Sequence, residues 1–287
     1  MVRWIQALAT VSTLSLCSCV IADDADDADH GTVPQAKTSG YWIYEWDRST
    51  NLPIDDNSHS MGPVSDKTCF LAGLTGNMVS DDYGSVGSDE LYTVAYAGVL
   101  DDGWGASADY DIVAFPGETG DNLGARAVCA ATTAGQSSLY YYDATLGGQA
   151  VRMVPTDSPL TICGLTAVAQ PLQRDDPSGN LDFSSIGDEL HVFESDGYWY
   201  LGGAGNAAGY AQCIQVSARS DEWTVNNTSV DLSSGAGREC FLTGLKGIWQ
   251  TNDLDSGVWI DYDAGLLQWT LTGTGGGYKR AWARCMR

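Results

Sequence analysis

A short cysteine phrase occurs three times in the chain, and a second phrase that ends in cysteine follows each copy about 45 to 60 positions later. The opening phrases are Cys69-Phe70-Leu71-Ala72-Gly73-Leu74, Cys163-Gly164-Leu165-Thr166-Ala167-Val168 and Cys240-Phe241-Leu242-Thr243-Gly244-Leu245. The closing phrases are Ala125-Arg126-Ala127-Val128-Cys129, Gly209-Tyr210-Ala211-Gln212-Cys213 and Ala281-Trp282-Ala283-Arg284-Cys285. Internal repetition on this scale constrains the fold more than any single residue, because each copy is one structural unit that buries its apolar side against its neighbours.

Short runs with aromatic or aliphatic residues at every second position fill the copies, and glycine separates the runs. In the last copy these runs extend from Val258 to Tyr262 and from Leu267 to Leu271. This alternation is typical of short antiparallel strands joined by turns. We therefore predict an all-β protein of three tandem pseudo-repeats at 41–135, which carries an insertion, 136–218 and 219–287. The sequence leaves open whether these units form three modules or one pseudo-threefold body, and the short linkers favour one body.

The residues two and four positions before each closing cysteine are all alanine or glycine, and on a strand they share the face of that cysteine. They are Ala127 and Ala125, Ala211 and Gly209, and Ala283 and Ala281. Gly73, Ala167 and Gly244, each four positions after an opening cysteine, are predicted to continue this face. A strand face made of such small side chains allows neighbouring strands to approach closely around a disulfide.

Six cysteines remain when the two near the N-terminus are set aside, and six cysteines allow 15 pairings in principle. Because each unit has one opening and one closing cysteine, we predict one disulfide within each unit. The predicted pairs are Cys69 with Cys129, Cys163 with Cys213, and Cys240 with Cys285. Zinc is the competing use of cysteine, but the chain has no CxxC pair and only three histidines, so the usual ligand spacing is absent.

The N-terminus has a charged start and an apolar run from Trp4 to Leu16 that is too short to span a bilayer, which is typical of a secretory signal. The phrase Leu16-Cys17-Ser18-Cys19 resembles the lipobox of bacterial lipoproteins, with Cys19 as the acylated cysteine. This resemblance implies a signal peptide at 1–18 and a lipid anchor in a membrane. Val20 in the second mature position implies the outer membrane, on its periplasmic or cell-surface face. Cleavage by an ordinary signal peptidase is the alternative.

Residues 19–40 are rich in aspartate and show no apolar periodicity. Low hydrophobicity combined with like charges predicts an extended, disordered acidic tether. The whole chain carries 37 acidic and 14 basic residues, which gives a formal net charge of -23. This acidity argues against nucleic acid or an anionic membrane face as a partner.

Acidic residues also recur about a dozen positions after each opening cysteine. The candidates for metal binding are Asp81, Asp82, Asp175, Asp176, Asp253 and Asp255. Turns rich in Asp, Asn and Gly can supply the six to eight oxygen ligands that Ca²⁺ prefers, so a calcium site is one interpretation. Hairpin turns select the same residues without any metal, which is the other interpretation. The sequence predicts no other cofactor.

Tryptophan and tyrosine beside aspartate predict a sugar-binding surface, because an aromatic ring stacks on the apolar C–H groups of a sugar while polar neighbours bind its hydroxyls. The candidates are Trp104 with Asp101 and Asp102, and Tyr198, Trp199, Trp259 and Trp269. Aromatic residues at period two also form cores and cross-strand pairs, which is the competing interpretation. Trp104 lies in an acidic glycine-containing turn of the insertion and is the candidate that a core role explains least.

Two similar acidic pairs, Asp89-Glu90 and Asp188-Glu189, raise the question of catalysis, because glycoside hydrolysis requires two carboxylates. Neighbouring residues on a strand point to opposite faces, so neither pair can supply both roles. No Ser-His-Asp arrangement is indicated, and the six cysteines are expected to be oxidised. We therefore predict no catalytic residues and no enzyme activity.

The C-F-L-[AT]-G-L openings and A-x-A-x-C closings resemble modules of uncharacterised bacterial surface lipoproteins, from which Cys163-Gly164-Leu165 partly departs. The resemblance implies a repeat but brings no activity with it. Repetition, aromatic content and the predicted anchor favour a non-catalytic cell-surface module for binding or adhesion, with glycan as the ligand. The alternatives are a structural envelope protein without a small ligand and a glycan-cleaving hydrolase.

Overall fold

The computed structural model describes residues 35–37, 41–48, 58–63, 67–78, 94–98, 109–115, 123–131, 134–144, 146–157, 159–168, 183–226, 229–234, 238–249, 253, 255–263, 265–274 and 278–287. Across these residues the protein is all β, as predicted, with nineteen strands and no helix. Accordingly, no helix in this part of the chain is long and apolar enough to cross a membrane.

The strands, numbered in chain order, are β1 (Gln35–Lys37), β2 (Tyr41–Arg48), β3 (Ser58–Pro63), β4 (Thr68–Gly76), β5 (Val94–Gly98), β6 (Asp109–Phe115), β7 (Leu123–Ala130), β8 (Tyr140–Asp143), β9 (Val151–Pro155), β10 (Thr161–Val168), β11 (Glu189–Ser195), β12 (Tyr198–Ala204), β13 (Ala208–Gln215), β14 (Trp223–Asn226), β15 (Ser229–Ser234), β16 (Glu239–Gly247), β17 (Gly257–Asp263), β18 (Gln268–Gly273) and β19 (Lys279–Met286). They form three antiparallel sheets. The first sheet has the order β1-β2-β7-β4-β17-β18-β15, the second has the order β3-β6-β5-β10-β13-β8, and the third has the order β14-β19-β16-β11-β12-β9.

Each sheet combines strands from two of the three sequence units. The opening strands β4, β10 and β16 contain the opening cysteines, and each pairs with the closing strand of its own unit, which is β7, β13 or β19. On the other edge, the opening strands pair with strands of a different unit, namely β17, β5 and β11 in turn. Within the described strands, the units therefore share their sheets, and none of them forms a sheet alone.

All three predicted disulfides are present, and each joins the opening strand to the closing strand of one unit. In every pair the two cysteines lie directly opposite each other in the strand register, with Cα atoms 4.0 Å apart. Ala127, Ala211 and Ala283, two positions before the closing cysteines, are completely buried. The alanines leave room for the close approach that a buried cross-strand disulfide requires.

A β-bulge moves the glycine of the first opening phrase off the cysteine face, so that part of the prediction is wrong. The register of β4 shifts between Leu71 and Gly73, and Gly73 consequently lies opposite Arg126 and not opposite Ala125. Arg126 is adjacent to Ala127 on β7, and adjacent residues on a strand point to opposite faces. The bulge therefore reverses the face of the strand from Gly73 onward.

The same shift occurs in the other two opening strands. Gly244 lies opposite Trp282 on β19, and Ala167 lies opposite Tyr210 on β13. In all three units, a large side chain of the closing strand thus lies beside a small residue of the opening strand. This arrangement creates space on the sheet surface for side chains from a third strand.

The three units meet in the core at Phe70, Gly164 and Phe241, one residue from each unit. Phe70 and Phe241 stack with their ring centroids 4.3 Å apart. A Cβ atom on Gly164 would lie 2.5 Å from the ring of Phe241 and 2.9 Å from the ring of Phe70. These three residues occupy the same position of the three opening phrases, directly after the cysteine. The glycine of the middle phrase therefore matches a site that has room for two phenyl rings and no third.

A second junction joins Met78, Phe183 and Trp249 through a closed cycle of backbone hydrogen bonds. The N–H of Met78 donates to the carbonyl of Trp249 at 2.7 Å, and the N–H of Trp249 donates to the carbonyl of Phe183 at 2.8 Å. The N–H of Phe183 donates to the carbonyl of Met78 at 3.2 Å and completes the cycle. All three side chains are at most 1% exposed, so the junction is part of the core.

Candidate functional site

Several residues predicted from the sequence as site residues lie outside the described part of the chain. They are Trp104, Asp101 and Asp102 of the insertion, Asp81, Asp82, Asp175 and Asp176 of the calcium prediction, and the lipidation candidate Cys19. Four predicted aromatic contacts and two predicted metal ligands are described.

Trp199 and Trp269 are completely buried, so the prediction that they contact a ligand is wrong. Trp199 on β12 shares a face with the buried Leu201, and Trp269 on β18 shares a face with the buried Leu271. The indole N–H of Trp199 donates to the carbonyl of Thr161 at 3.3 Å. Both rings belong to the core, because strand alternation directs them inward together with aliphatic neighbours.

Trp259 on β17 is half-buried and takes part in a polar triangle on the first sheet. Its indole N–H donates to Asp261 at 2.7 Å, and Arg126 donates to the other carboxylate oxygen of Asp261 at 2.7 Å. The Arg126 guanidinium lies 5.1 Å from the centroid of the Trp259 ring. A Cβ on Gly73 would lie 2.6 Å from the Cβ of Trp259, so the bulge glycine is what allows the tryptophan to lie here.

The polar groups of this triangle satisfy one another. Arg126 has a carboxylate partner, and Trp259 has an acceptor for its N–H. The triangle therefore links β7 to β17 across Gly73. Its most exposed side chain is Asp261, which is 55% exposed.

Tyr198 belongs to a row of rings on the third sheet, which we call the aromatic strip: the buried Trp282 and the half-buried His191, Phe193, Tyr200 and Tyr198. The ring of His191 stacks on Trp282 with centroids 4.4 Å apart, and it lies 5.7 Å from the ring of Phe193. Phe193 lies opposite Tyr200 in the strand register and stacks on it at 5.7 Å. The strip thus extends across β19, β16, β11 and β12.

Strand alternation produces this strip. On β11, His191 and Phe193 are half-buried and alternate with the fully buried Leu190 and Val192. On β12, the half-buried Tyr198 and Tyr200 alternate in the same way with two buried residues. The inner residues form the core, and the aromatic residues are therefore directed to the outer face of the sheet.

Glycine at the bulge makes the stacking of Trp282 and His191 feasible. A Cβ on Gly244 would lie 2.8 Å from His191 Cδ2 and 2.8 Å from Trp282 Cε3. On β12, a Cβ on Gly202 would lie 3.2 Å from Phe193 Cε1. Any larger residue at position 244 would push the two rings apart.

Glu222 anchors one end of the strip. One of its carboxylate oxygens lies 3.1 Å from His191 Nε2 and accepts a hydrogen bond from the Thr243 hydroxyl at 2.8 Å. Burial alone would raise the pKa of Glu222, but the hydrogen bonds from His191 and Thr243 and the charge of Arg284 outweigh it and lower the pKa. Glu222 is therefore a carboxylate at neutral pH and fixes the orientation of the His191 ring.

A second charged cluster lies beside the strip and packs on the core. Arg219 and Arg284 both contact Glu194, at 2.8 Å and 2.9 Å. Both guanidinium groups lie 5.1 Å from the centroid of the Trp199 ring. This cluster ties the segment before β14 and the closing strand β19 to β11, and its charges are paired.

The described acidic pair, Asp188 and Glu189, has structural partners. Asp188 is 1% exposed, and its carboxylate accepts hydrogen bonds from the backbone N–H groups of Ser185 and Asn206. Glu189 forms an ion pair with Lys246 at 2.6 Å. These contacts give both acidic residues a structural role.

The two described residues of the calcium prediction, Asp253 and Asp255, are both exposed. The Asp253 carboxylate accepts a hydrogen bond from the backbone N–H of Asp255 at 3.0 Å, which is typical of a turn. Among the residues that the structure describes, no group of three acidic, histidine or cysteine side chains could hold a metal ion. Because the other four aspartates lie outside that part, the calcium site stays a prediction.

Sequence reasoning named Tyr198 but missed the rest of the strip, Trp282, His191, Phe193 and Tyr200. The available signal was the alternation in Leu190-His191-Val192-Phe193 and Tyr198-Trp199-Tyr200-Leu201, which indicates a hairpin with one apolar and one mixed face. Comparison with models of known protein families gives no match, and comparison with curated protein sequences gives none either.

Proposed function

We propose that the protein is a non-catalytic binding module that recognises a glycan through the aromatic strip of the third sheet. The observation that carries this proposal is the run of half-buried rings on β11 and β12, which continues into the buried Trp282 on β19. Partly exposed aromatic surface of this kind, next to polar groups, is what a sugar requires from a protein: apolar contact for its C–H groups and hydrogen-bond partners for its hydroxyls.

The polar groups beside the strip support the same proposal. The Lys246 and Glu189 ion pair is about one quarter exposed on each side and lies on the strands that carry His191 and Gly244. Donors and acceptors are thus available next to the rings. The triangle at Trp259 is the weaker candidate, because it presents a single ring.

The first test is a glycan array probed with the full chain and with a Tyr200→Ala variant. We expect Tyr200→Ala to weaken binding at least tenfold, about 1.4 kcal/mol, because truncation removes a ring from the middle of the binding surface. Tyr141→Ala is the matched control, since Tyr141 is also half-buried but lies on β8 of the second sheet, 4.9 Å from the ring of Tyr210.

Equal affinity of Tyr200→Ala and the unmodified chain would contradict the proposal, provided both melt at similar temperatures. Equal losses of glycan affinity in Tyr200→Ala and Tyr141→Ala would also contradict the proposal. An array without any bound glycan would instead favour a structural envelope protein.

We also propose that the module is a lipoprotein of the bacterial outer membrane, held by a lipid on Cys19 and separated from the membrane by the acidic segment that follows it. The predicted tether 19–40 is too long, because Gln35–Lys37 form β1 and pair with β2. The lipobox-like phrase supports this proposal. Cells that express the chain should incorporate labelled palmitate into it, and Cys19→Ala should abolish the incorporation while Cys17→Ala should leave it unchanged. Labelling that persists in Cys19→Ala would contradict the anchor.

The three units are proposed to be copies related by an approximate threefold axis. In support, every sheet places a closing strand next to the opening strand of its unit and a hairpin of another unit beyond it. The cyclic hydrogen bonds of Met78, Phe183 and Trp249 and the equivalent positions of Phe70, Gly164 and Phe241 also fit such an axis.

A further inference from the structure

We infer that the ligand of the aromatic strip is an acidic glycan and that Arg152 and Arg280 bind its anionic groups. This inference rests on the proposed glycan binding and adds the charge of the sugar. Two arginines lie beside rings of the third sheet, and their guanidinium groups have no carboxylate partner in the described part of the chain.

Arg152 lies on β9, the edge strand next to β12, and is exposed. Its guanidinium lies over the ring of Tyr198, 4.7 Å from the centroid. Arg280 lies on β19, with its guanidinium 5.8 Å from the ring of Trp282 and 5.9 Å from the ring of Tyr278. The two arginines therefore lie at the two ends of the strip.

Neither arginine has a carboxylate within ion-pair distance in the described part of the chain. The contact that Arg280 makes is a neutral one, in which Nε donates to the side-chain oxygen of Asn226 at 2.7 Å. In the same part of the chain, Arg126, Arg219 and Arg284 each have a carboxylate partner.

This difference is informative because the chain has 37 acidic residues and only 14 basic ones. With carboxylates in such excess, a surface arginine would readily gain a partner by a single substitution nearby. Two guanidinium groups that have no carboxylate partner among the described residues, and that lie beside the same row of rings, can bind anions from solution. Arginine binds carboxylate and sulfate groups through two parallel N–H donors, which gives both strength and orientation.

The spacing of the two arginines indicates an extended ligand. Four strand intervals separate β19 from β9, and neighbouring strands lie about 4.8 Å apart, so the strands that carry the two arginines are about 19 Å apart. A monosaccharide cannot reach both guanidinium groups, whereas an acidic oligosaccharide of several rings can. The net charge of -23 repels anions in general, so the preference for negative charge is local to the two arginines, and their spacing favours an extended acidic oligosaccharide over a small anion.

The decisive experiment compares acidic and neutral forms of the same polymer on the full chain. Polygalacturonate is compared with its carboxyl-reduced form, and dextran sulfate is compared with dextran, so carboxylate and sulfate are distinguished. We expect the acidic form of at least one pair to bind at least tenfold more tightly than its neutral form, with affinity that falls as salt concentration rises.

The double variant Arg152→Gln with Arg280→Gln should remove that preference and flatten the salt dependence. Arg126→Gln is the matched control, because it removes an arginine from the first sheet, and it should leave the preference intact. A Tyr200→Ala variant should bind both the acidic and the neutral forms more weakly. This result separates a failure of the proposed glycan binding from a failure of the inferred charge preference.

Equal binding of acidic and neutral forms by the unmodified chain would overturn the inference and leave glycan binding standing. An unchanged preference in the double variant would overturn it as well, and would show that both arginines only cover the rings. Tighter binding of polyglutamate than of either acidic glycan would overturn the sugar assignment in favour of an acidic polypeptide.

Discussion

Gly164→Phe is expected to destabilise the protein by about 3 kcal/mol or more, because the centre where the three units meet has no room for a third phenyl ring. The new Cβ alone would lie 2.5 Å from Phe241 and 2.9 Å from Phe70, both of which are completely buried and stacked on each other. Overpacking of a dense core commonly costs 1 to 3 kcal/mol, and a whole ring exceeds the usual case. Urea unfolding with the disulfides intact measures the change.

The second half of this experiment tests the proposed threefold relation. If positions 70, 164 and 241 are equivalent, Phe241→Gly added to Gly164→Phe vacates the space that the new ring needs. We expect the double variant to be more stable than the sum of the two single effects by about 2 kcal/mol, a coupling typical of contacting residues. Gly148→Phe is the matched control, since a Cβ there has one neighbour at 3.9 Å and should cost little.

A strictly additive double variant would contradict the equivalence of the three positions. It would mean that a ring at position 164 points away from the space of Phe241. The sheet topology would stand in that case, but the threefold relation would lose its support at the centre.

The sequence predicted the strand content and the disulfides, since both depend on local or repeated signals. Alternation within a single strand indicates which side is buried, and one opening and one closing cysteine per copy define the pairs. The way in which the units share sheets could not be predicted. The pairing of β4 with β17 joins Gly73 to Trp259, residues far apart in the sequence with no common motif.

The face of Gly73 and Gly244 was predicted wrongly for a related reason. A bulge adds one residue to a strand and reverses the face of everything after it, and the register of the partner strand is needed to see it. The isolated Gly73 inside the opening phrase was the available signal, because glycine within a strand often marks a bulge, but it does not give the register of the partner strand.

The candidate site was predicted in part. Tyr198 and Trp259 are on the surface, whereas Trp199 and Trp269 are in the core, and strand alternation alone cannot decide which of two faces of a hairpin is the outer one. The strip was missed because its rings come from β11, β12 and β19, and Trp282 is far from His191 in the sequence. Only the register of three strands brings them together.

Glu239→Gln is expected to stabilise the protein by about 3 kcal/mol at pH 8 and to have little effect at pH 4. Glu239 is the first residue of β16 and lies opposite Met286. Burial raises the pKa of its carboxyl group from 4.5 to about 7, although its own backbone N–H partly offsets this. The raised pKa means that folding favours the protonated carboxyl group.

The sign of the pH dependence follows from proton binding. Below pH 4.5 the carboxyl group is protonated in both the folded and the unfolded chain. Its full contribution to the free energy of unfolding is present there. Between pH 4.5 and about 7 the folded chain keeps a proton that the unfolded chain releases, so the free energy of unfolding falls as pH rises. A pKa difference of this size corresponds to about 3 kcal/mol, and the fall ends above pH 7 because the group is then ionised in both states.

Glutamine removes this cost because it stays neutral at every pH and fits nearly the same space. The measurement is the free energy of unfolding of Glu239→Gln and of the unmodified chain at pH 4, 6 and 8, and the difference should grow with pH. Asp196→Asn is the control for the loss of one negative charge, since Asp196 is exposed in the turn of the β11–β12 hairpin with a φ of 49°, which asparagine tolerates. A difference that stays constant from pH 4 to pH 8 would show that Glu239 reaches solvent and titrates as an ordinary surface carboxylate.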